Sequence, residues 1–312
     1  MLDYFQIDVE QGLQKASESK YNWIIIDHDS QEELSKMTKK YHLPEDVFVT
    51  SESAGEVSRI EYLKDTKLEN PISLVLFDIT NKDGTVEERI SPLSIILSDE
   101  IFILYVGKNQ SIVEKIMDTE LNYYSFEQII MNMLLTIYRH FIAELNDIKK
   151  EIDTLDNSAR KNTDSEELFR LADVDREVIF INHTITDQNQ TLDTLWEDEE
   201  FLKKVNHSGL IFDVKLHQKQ ALKLITVYHA LIDTLGSLFA SMIDNNLNHL
   251  MKFLESAALV LTIPTVIAGI WGMNTGGLPW EKSTSGFIIV MVLLVILTIF
   301  TWSYLKKKKY FN

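Results

Sequence analysis

Apolar positions gather near the C-terminal end of the chain in two runs, Leu254 to Met273 and Phe287 to Leu305. Each holds about twenty residues, enough at roughly 1.5 Å per residue to cross a ~30 Å hydrocarbon core. The second run, from Phe287 to Phe300, is apolar all round, whereas a surface helix of a soluble domain keeps a polar face. The pair therefore predicts two transmembrane helices. Trp280 precedes the second run, and Trp302 and Tyr304 close it, as expected of rings at a membrane interface. Lys306 to Lys309 follow as a basic stop, while the linker Thr275 to Gly286 carries one acid, Glu281, and one base, Lys282. The excess of positive charge on the cytoplasmic side puts the tail in the cytoplasm and the linker outside. Two spans return the chain to the same side, so residues 1–250 are expected in the cytoplasm too. The opening Met1-Leu-Asp-Tyr-Phe-Gln-Ile-Asp8 has neither the basic region nor the apolar core of a signal peptide.

Upstream, the pattern changes twice. Residues 1–120 read as α/β: Trp23–Ile26 is a buried-strand candidate, and Arg59–Lys64, Ile72–Thr80, Glu88–Leu97 and Ile101–Val106 read as further strands. Ser30-Gln-Glu-Glu33 has the form of a capping box opening a helix to about Tyr41. Asn81-Lys-Asp-Gly84 is a turn signal. Residues 121–208 read as paired amphipathic helices. Ser125-Phe-Glu-Gln128 caps the first, whose apolar positions Ile130, Leu134, Ile137, Phe141, Leu145, Ile148, Ile152 and Leu155 recur every three or four residues. Thr163-Asp-Ser-Glu166 caps the second, which runs to about Leu195 and ends at the acidic turn Glu197–Glu200, a solvated tip or a weak cation site.

Residues 209–273 read as a stalk helix continuing into the first transmembrane helix. Leu224, Tyr228, Leu231, Leu235, Leu238 and Met242 form a heptad-like seam, and no proline intervenes between Leu210 and Pro264. About 60 residues make a rod of roughly 90–100 Å. Such a stalk suits a homo-oligomer around an axis as well as packing against the preceding helices. The remaining divisions are an extracellular loop over 274–286, the second span over 287–305 and a basic cytoplasmic tail over 306–312.

One stripe of the first span reads Asn248, Met251, Leu254, Ala258, Thr262, Thr265 and Gly269. Small and hydroxylated residues on one face serve either close helix packing or a water-filled lumen. In the second case Met251 and Leu254 form an apolar constriction able to close by dewetting. The stripe leads to Gly272-Met273-Asn274, where the helix gives way and backbone carbonyls and an amide become available to an ion. Neutral oxygens suit a hard cation such as Mg2+, which keeps several of its waters.

Composition narrows the function. The net charge is −17, and from Met251 onward the balance is +4, so residues 1–250 carry −21. Such a domain repels nucleic acid and attracts cations. The absence of cysteine excludes thiolate metal sites, disulfides and thiol catalysis. No His-Glu-x-x-His, Gly-x-Ser-x-Gly or phosphate-binding glycine loop occurs, and an enzyme is not expected. His207, His217, His229 and His249 are too scattered to read as ligands.

Gly272-Met273-Asn274 after Ala268-Gly269-Ile270-Trp271, two C-terminal spans and a lysine-rich tail resemble the CorA family of divalent-cation channels, within the two-transmembrane GxN superfamily. The resemblance implies an α+β cytoplasmic domain, a long helical stalk and two transmembrane helices, assembled as a funnel-shaped homopentamer in the plasma membrane with both termini cytoplasmic. It implies an entrance filter at Gly272, Met273 and Asn274. Asn248, Met251, Leu254, Thr265 and Gly269 match pore-facing positions. It further implies gating by cytosolic Mg2+ at acidic sites between subunits, with Asp213 at a sensor position and Asp65 as its candidate partner. The loop Thr275-Gly-Gly-Leu-Pro-Trp280 departs from the acidic loop of many members and is similar to the zinc-transporting branch. Three cargoes therefore stand open: Mg2+, Co2+ or Ni2+, and Zn2+ coupled to protons. A membrane-anchored coiled-coil scaffold without a pore is the alternative of another class.

Overall fold

The structure is a computed structural model. It describes residues 2–8, 12–17, 20–27, 30–49, 56–80, 84–107, 109, 111–117, 123–159, 165–273, 277, 279 and 283–307. The chain divides into two compact units, Met1–Arg160 with Asp164–Leu235, and Lys161–Thr163 with Gly236–Asn312.

The first unit is built on a seven-stranded sheet. Its strands are β1 (Leu2–Asp8), β2 (Gly12–Lys15), β3 (Trp23–Ile26), β4 (Arg59–Tyr62), β5 (Ile72–Ile79), β6 (Ile90–Leu97) and β7 (Phe102–Tyr105), in the order β2-β1-β3-β7-β6-β5-β4. Among the described residues only β3 and β7 pair parallel; they are central, and every residue in both is buried. That is why Trp23-Ile-Ile-Ile26 is apolar without alternation. One face packs on α1 (Gln31–Tyr41), where Leu34 and Met37 meet Ile24, Ile26, Ile103 and Tyr105. A short α2 (Val86–Arg89) precedes β6, so the expected strand from Glu88 begins two residues later; Thr85 and Glu88 close a reciprocal capping box that holds this turn helical. After β7 comes α3 (Ser111–Met117).

The long helices are α4 (Phe126–Ala159) and α5 (Ser165–Glu197), joined to a short α6 (Glu199–Val205) and then to α7 (Ser208–Trp271). All eight apolar positions expected on the face of α4 are buried. Aromatic rings tie this helix to the sheet: Phe5 and Trp23 lie 5.1 Å apart, Trp23 and Phe102 5.7 Å, and Phe102 and Phe126 stack at 5.6 Å. The polar face of α5 holds the chain beside the sheet. Asp187 accepts from the Ser58 amide, Thr191 donates to the Ser58 carbonyl, and Gln188 accepts from the Phe77 amide.

Two expectations about caps need correction. Ser30 stands at the N-cap of α1, yet its hydroxyl donates to Asp27 and makes no cap bond. At α4 the Ser125 hydroxyl accepts from the Gln128 amide, but the Gln128 side chain reaches the Tyr124 amide rather than that of Ser125. Asn81–Asp83 of the expected Asn81–Gly84 turn, and Thr163 and Asp164 of the expected Thr163–Glu166 cap, lie outside the described residues.

In its first-unit stretch, α7 buries Leu210, Val214, Ala221, Ile225, Tyr228, Ile232 and Leu235 at spacings of three, four and seven. This seam is turned slightly from the expected one: Leu224 and Leu231 are half-buried, and Tyr228 and Leu235 are shared. Lys215 lies 4.8 Å from the Trp196 ring of α5, and His229 is 3.9 Å from Asp175 of the same helix.

The second unit holds the remainder of α7 and α8 (Thr284–Lys307). Both are long and apolar enough to cross a membrane. Helix α7 continues through Pro264, which has no amide hydrogen and leaves the Val260 carbonyl without its helical partner.

Candidate functional site: the first membrane helix and its approaches

The stripe expected to face a lumen lies within a broad exposed arc of the helix that also takes in Leu259, Leu261 and Val266. Asn248, Met251, Leu254, Ala258, Thr262, Thr265 and Gly269 are all exposed, Met251 at 50% and Leu254 at 60%. The opposite side of the span holds Ser256, which is 1% exposed, and the half-buried Ala257, Val260, Ile263, Pro264 and Ile267. At 3.6 residues per turn these two sets lie about half a turn apart. Along α8 the less exposed positions Gly286, Val290, Leu294, Thr298, Thr301 and Leu305 likewise recur every three or four residues. The stripe is therefore part of the side of the first span left open in the single chain.

Its hydroxyls have a defined orientation. Thr262 Oγ1 donates to the Ala258 carbonyl at 2.7 Å, and Thr265 Oγ1 donates to the Leu261 carbonyl at 2.8 Å. Each hydroxyl proton is used within the helix, so the oxygen's remaining capacity is that of an acceptor.

The helix ends where the motif begins. Trp271 is its last residue, the Gly272 amide still donates to the Ala268 carbonyl at 2.8 Å, and the Met273 amide tightens to the Ile270 carbonyl at 3.3 Å. A Cβ on Gly272 would approach the Ala268 oxygen to 3.1 Å, so a side chain there would crowd the turn. Met273 is exposed. Asn274, the third residue of the motif, lies outside the described residues, as do Trp280, Glu281, Lys282, Lys308 and Lys309.

The two acids given a sensing role lie on the surface of the first unit. Asp213 is exposed on α7, and its carbonyl receives a bond from His217 Nδ1 at 2.8 Å. Asp65 is exposed in the turn after β4 at φ 59°, a left-handed conformation that Asp tolerates better than most residues. That turn is pinned by the Leu63 amide on the Pro71 carbonyl and the Lys67 amide on the Tyr41 carbonyl. Among the described residues of one chain, no three His, Asp or Glu side chains gather in a way that could hold a metal ion. His207 instead accepts from the Leu210 amide at the start of α7.

Sequence reasoning missed a second feature in the first unit. A cavity of about 420 Å3 is lined by Lys64, Asn70, Asp99, Glu127, Glu200 and Lys204 among others. The acidic turn keeps Glu197, Glu199 and Glu200 exposed, as a solvated tip would. Asp198 accepts from the Glu200 and Phe201 amides and caps α6, while Glu200 faces the cavity. The cation that meets these acids is Lys204, whose ammonium lies 2.8 Å from Asp99, 3.8 Å from Glu200 and 3.9 Å from Glu127. The bond from Lys204 holds the Asp99 carboxyl below the usual range, and Asp99 in turn holds the Lys204 ammonium above its own.

Glu127 behaves oppositely. Burial pushes its carboxyl up, against the smaller opposing effects of its own backbone amide and Lys204. An acid whose folded pKa is raised contributes stability below its unfolded pKa and loses it as pH rises through the folded value. Glu127→Gln is therefore expected to melt higher than the wild type at pH 8, with the difference shrinking on acidification through the carboxylate range. Thermal scans at pH 8, 6 and 4.5 check this, and a difference that grows on acidification would contradict it.

Comparisons with known proteins identify the family and the fold. The family model described as "CorA-like Mg2+ transporter protein" matches residues 18–307. The chain belongs to this family. Its members are transporters and channels rather than enzymes. The cobalt/magnesium transport protein CorA of Methanocaldococcus jannaschii is 23% identical over 309 residues, covering 93% of this chain and 92% of that protein. The protein of the same name from Thermotoga maritima is 23% identical over 184 residues, so the match spans about half of that relative, 52%, and 59% of this chain. Among solved structures, the complete CorA magnesium transporter of M. jannaschii superposes with a TM-score of 0.80 at 16% identity, covering 99% of this chain and 98% of that one. The CorA fold is thus present throughout, with two C-terminal membrane helices, and divalent-cation transport is the family's activity.

Proposed function

We propose that this chain forms a homopentameric Mg2+ uptake channel in the plasma membrane, with both termini in the cytoplasm and the first spans of five copies lining the pore. Gly272, Met273 and Asn274 form the entrance filter. Carbonyls released at the helix end and the Asn274 amide meet a cation that keeps its inner waters, because neutral oxygens bind Mg2+ weakly enough to let it go. Below the filter, Gly269, Thr265, Thr262 and Ala258 line the lumen, and the two hydroxyls offer acceptor oxygens to the ion's hydration shell. Leu254 and Met251 form the apolar gate, with Asn248 beneath. Asp213 and Asp65 of adjacent copies hold regulatory Mg2+, whose loss opens the pore. The ion moves down its electrochemical gradient with no covalent chemistry.

The observation that carries this reading is the open stripe on α7, polar or small above Leu254, running to a helix end at Gly272. A membrane anchor needs neither. The relatives named for cobalt and magnesium support Mg2+ first and Co2+ second as cargo.

The test is ion influx into proteoliposomes containing the full chain, wild type against Asn274→Ala, with lumenal pH recorded. Mg2+ influx suppressed by millimolar Mg2+ on the cytoplasmic side, and lowered at least tenfold by Asn274→Ala, is the expected result; a tenfold change corresponds to about 1.4 kcal/mol at the filter. Zn2+ influx accompanied by protons, with little Mg2+ entry, would assign the chain to zinc transport and remove the sensing role of Asp213.

A further inference from the structure

The run from Leu254 to Met273 contains a single charged residue, Glu255, and the transport reading above gives it no part. It is helical and exposed on α7. It lies sixteen positions before Trp271, the last residue of that helix. At 1.5 Å per residue this sets it roughly 24 Å below the helix end, inside a ~30 Å hydrocarbon core. A long side chain on a helix leans over the turn on its N-terminal side. The carboxylate therefore belongs at the level of Met251 and Leu254, the two side chains assigned to the gate.

An ionised side chain within a membrane is costly, and it faces a partner or water. Among the described residues the Glu255 carboxylate has no ion pair or hydrogen bond. The ammonium of Lys252, one turn toward the cytoplasm and also exposed, has none either. Water is then the remaining source of solvation, and the face of the helix decides which water. Asn248 stands seven residues before Glu255 and Thr262 seven after it. Seven residues turn a helix by only about 20° relative to two full turns, so Glu255 shares the face of these two members of the stripe. Ser256, Ala257 and Val260, on the less exposed side, lie about 100° or more around the helix from it.

We propose that Glu255 is a selectivity residue of the pore: one copy from each subunit forms a ring of carboxylates beside the Met251–Leu254 gate that favours divalent over monovalent cations. The proposal rests on the pentameric pore reading and deepens it. Coulomb attraction scales with the charge of the ion, so each carboxylate favours Mg2+ over Na+. The neutral oxygens assigned to the filter carry no net charge and supply no such preference by themselves. Mg2+ holds its waters tightly, so the carboxylates meet the hydrated ion through its shell and let it pass. Lys252 lies at nearly the same depth but about 60° further around the helix, off the stripe, so its ammonium does not cancel the ring.

The experiment measures Mg2+ and Na+ influx into proteoliposomes containing the full chain, with no Mg2+ on the cytoplasmic side. Glu255→Gln, nearly identical in shape, should lower the ratio of Mg2+ to Na+ influx about tenfold, because only the charge that attracts the ion is removed. Glu255→Asp should keep most of the wild-type ratio, and Lys252→Gln should leave it unchanged. The natural chain has no cysteine, so Glu255→Cys carries a single thiol. Its modification from the water by an anionic methanethiosulfonate should restore the ratio, and by a cationic one should lower Mg2+ influx further. Equal flux with adducts of opposite charge, an unchanged ratio in Glu255→Gln, or an equal fall in Lys252→Gln would overturn the ring while leaving a pore that still responds to Asn274→Ala. Wild-type liposomes that carry no divalent cation, or flux indifferent to Asn274→Ala, would overturn the pore reading and the ring with it.

Discussion

Replacing Met251 and Leu254 together by serine is expected to raise Mg2+ influx about a hundredfold when the cytoplasmic side holds millimolar Mg2+, the condition in which the proposed channel is expected to be shut. The two side chains are 50% and 60% exposed on the stripe of α7. A ring of such side chains repels a water column, and a hydrated ion cannot pass a dry segment. Wetting a leucine-sized side chain costs about 1.5–3 kcal/mol. Serine removes much of that penalty, and a barrier lower by ~2.7 kcal/mol passes ions about a hundredfold faster. Because both positions are exposed in the chain, the double variant should fold and insert as the wild type does. Flux that stays fully suppressed would move the gate elsewhere, whereas flux that rises but remains sensitive to Asn274→Ala would keep gate and filter as separate elements.

The parts of this molecule legible in the sequence are those whose signal is a local period. The α4 stripe from Ile130 to Leu155, the all-buried Trp23–Ile26 and the two spans each repeat one chemistry over one turn or one strand, and the structure uses them as read. The positions of the first-span stripe fall on one side of the helix for the same reason, since residues three and four apart share a face. The strands β1 and β2 were not. Their residues mix Asp3, Gln6, Lys15 and aromatic rings, because they lie at the antiparallel edge, where pairing rather than burial defines a strand. The seam of α7 was placed one step around the helix because Leu224 and Leu231 compete with Ile225 and Ile232 for the same inward side. Caps failed where a polar neighbour offered a better partner, as Asp27 did for Ser30. The polar clusters were beyond reach for a different reason. Lys204 meets Asp99 across 105 positions and His140 meets Asp78 across 62, and no local pattern encodes such a meeting.

Trp23→Ala is expected to cost about 3–5 kcal/mol, the largest stability effect of any single substitution considered for the first unit. Trp23 has no exposed surface, and it begins the central parallel pair with Phe102 opposite it in register. Its ring is the middle of the aromatic series that starts at Phe5 in β1 and passes through Phe102 to Phe126 at the start of α4. Removing it empties a site bounded by strands that are hydrogen-bonded on both sides and cannot close in, so most of the lost contact stays lost. For a unit of this size that corresponds to a melting temperature lower by roughly 6–20 °C. Thermal unfolding of the full chain in detergent, followed by near-ultraviolet circular dichroism, provides the check. Phe5→Leu supplies the comparison: it keeps an apolar side chain at the partly exposed end of the same series and should shift the midpoint far less. A small shift for Trp23→Ala would mean that the rings of Phe5, Phe102 and Phe126 repack into the vacated volume, and the central pair would then be held by its hydrogen bonds and isoleucines rather than by its aromatic series.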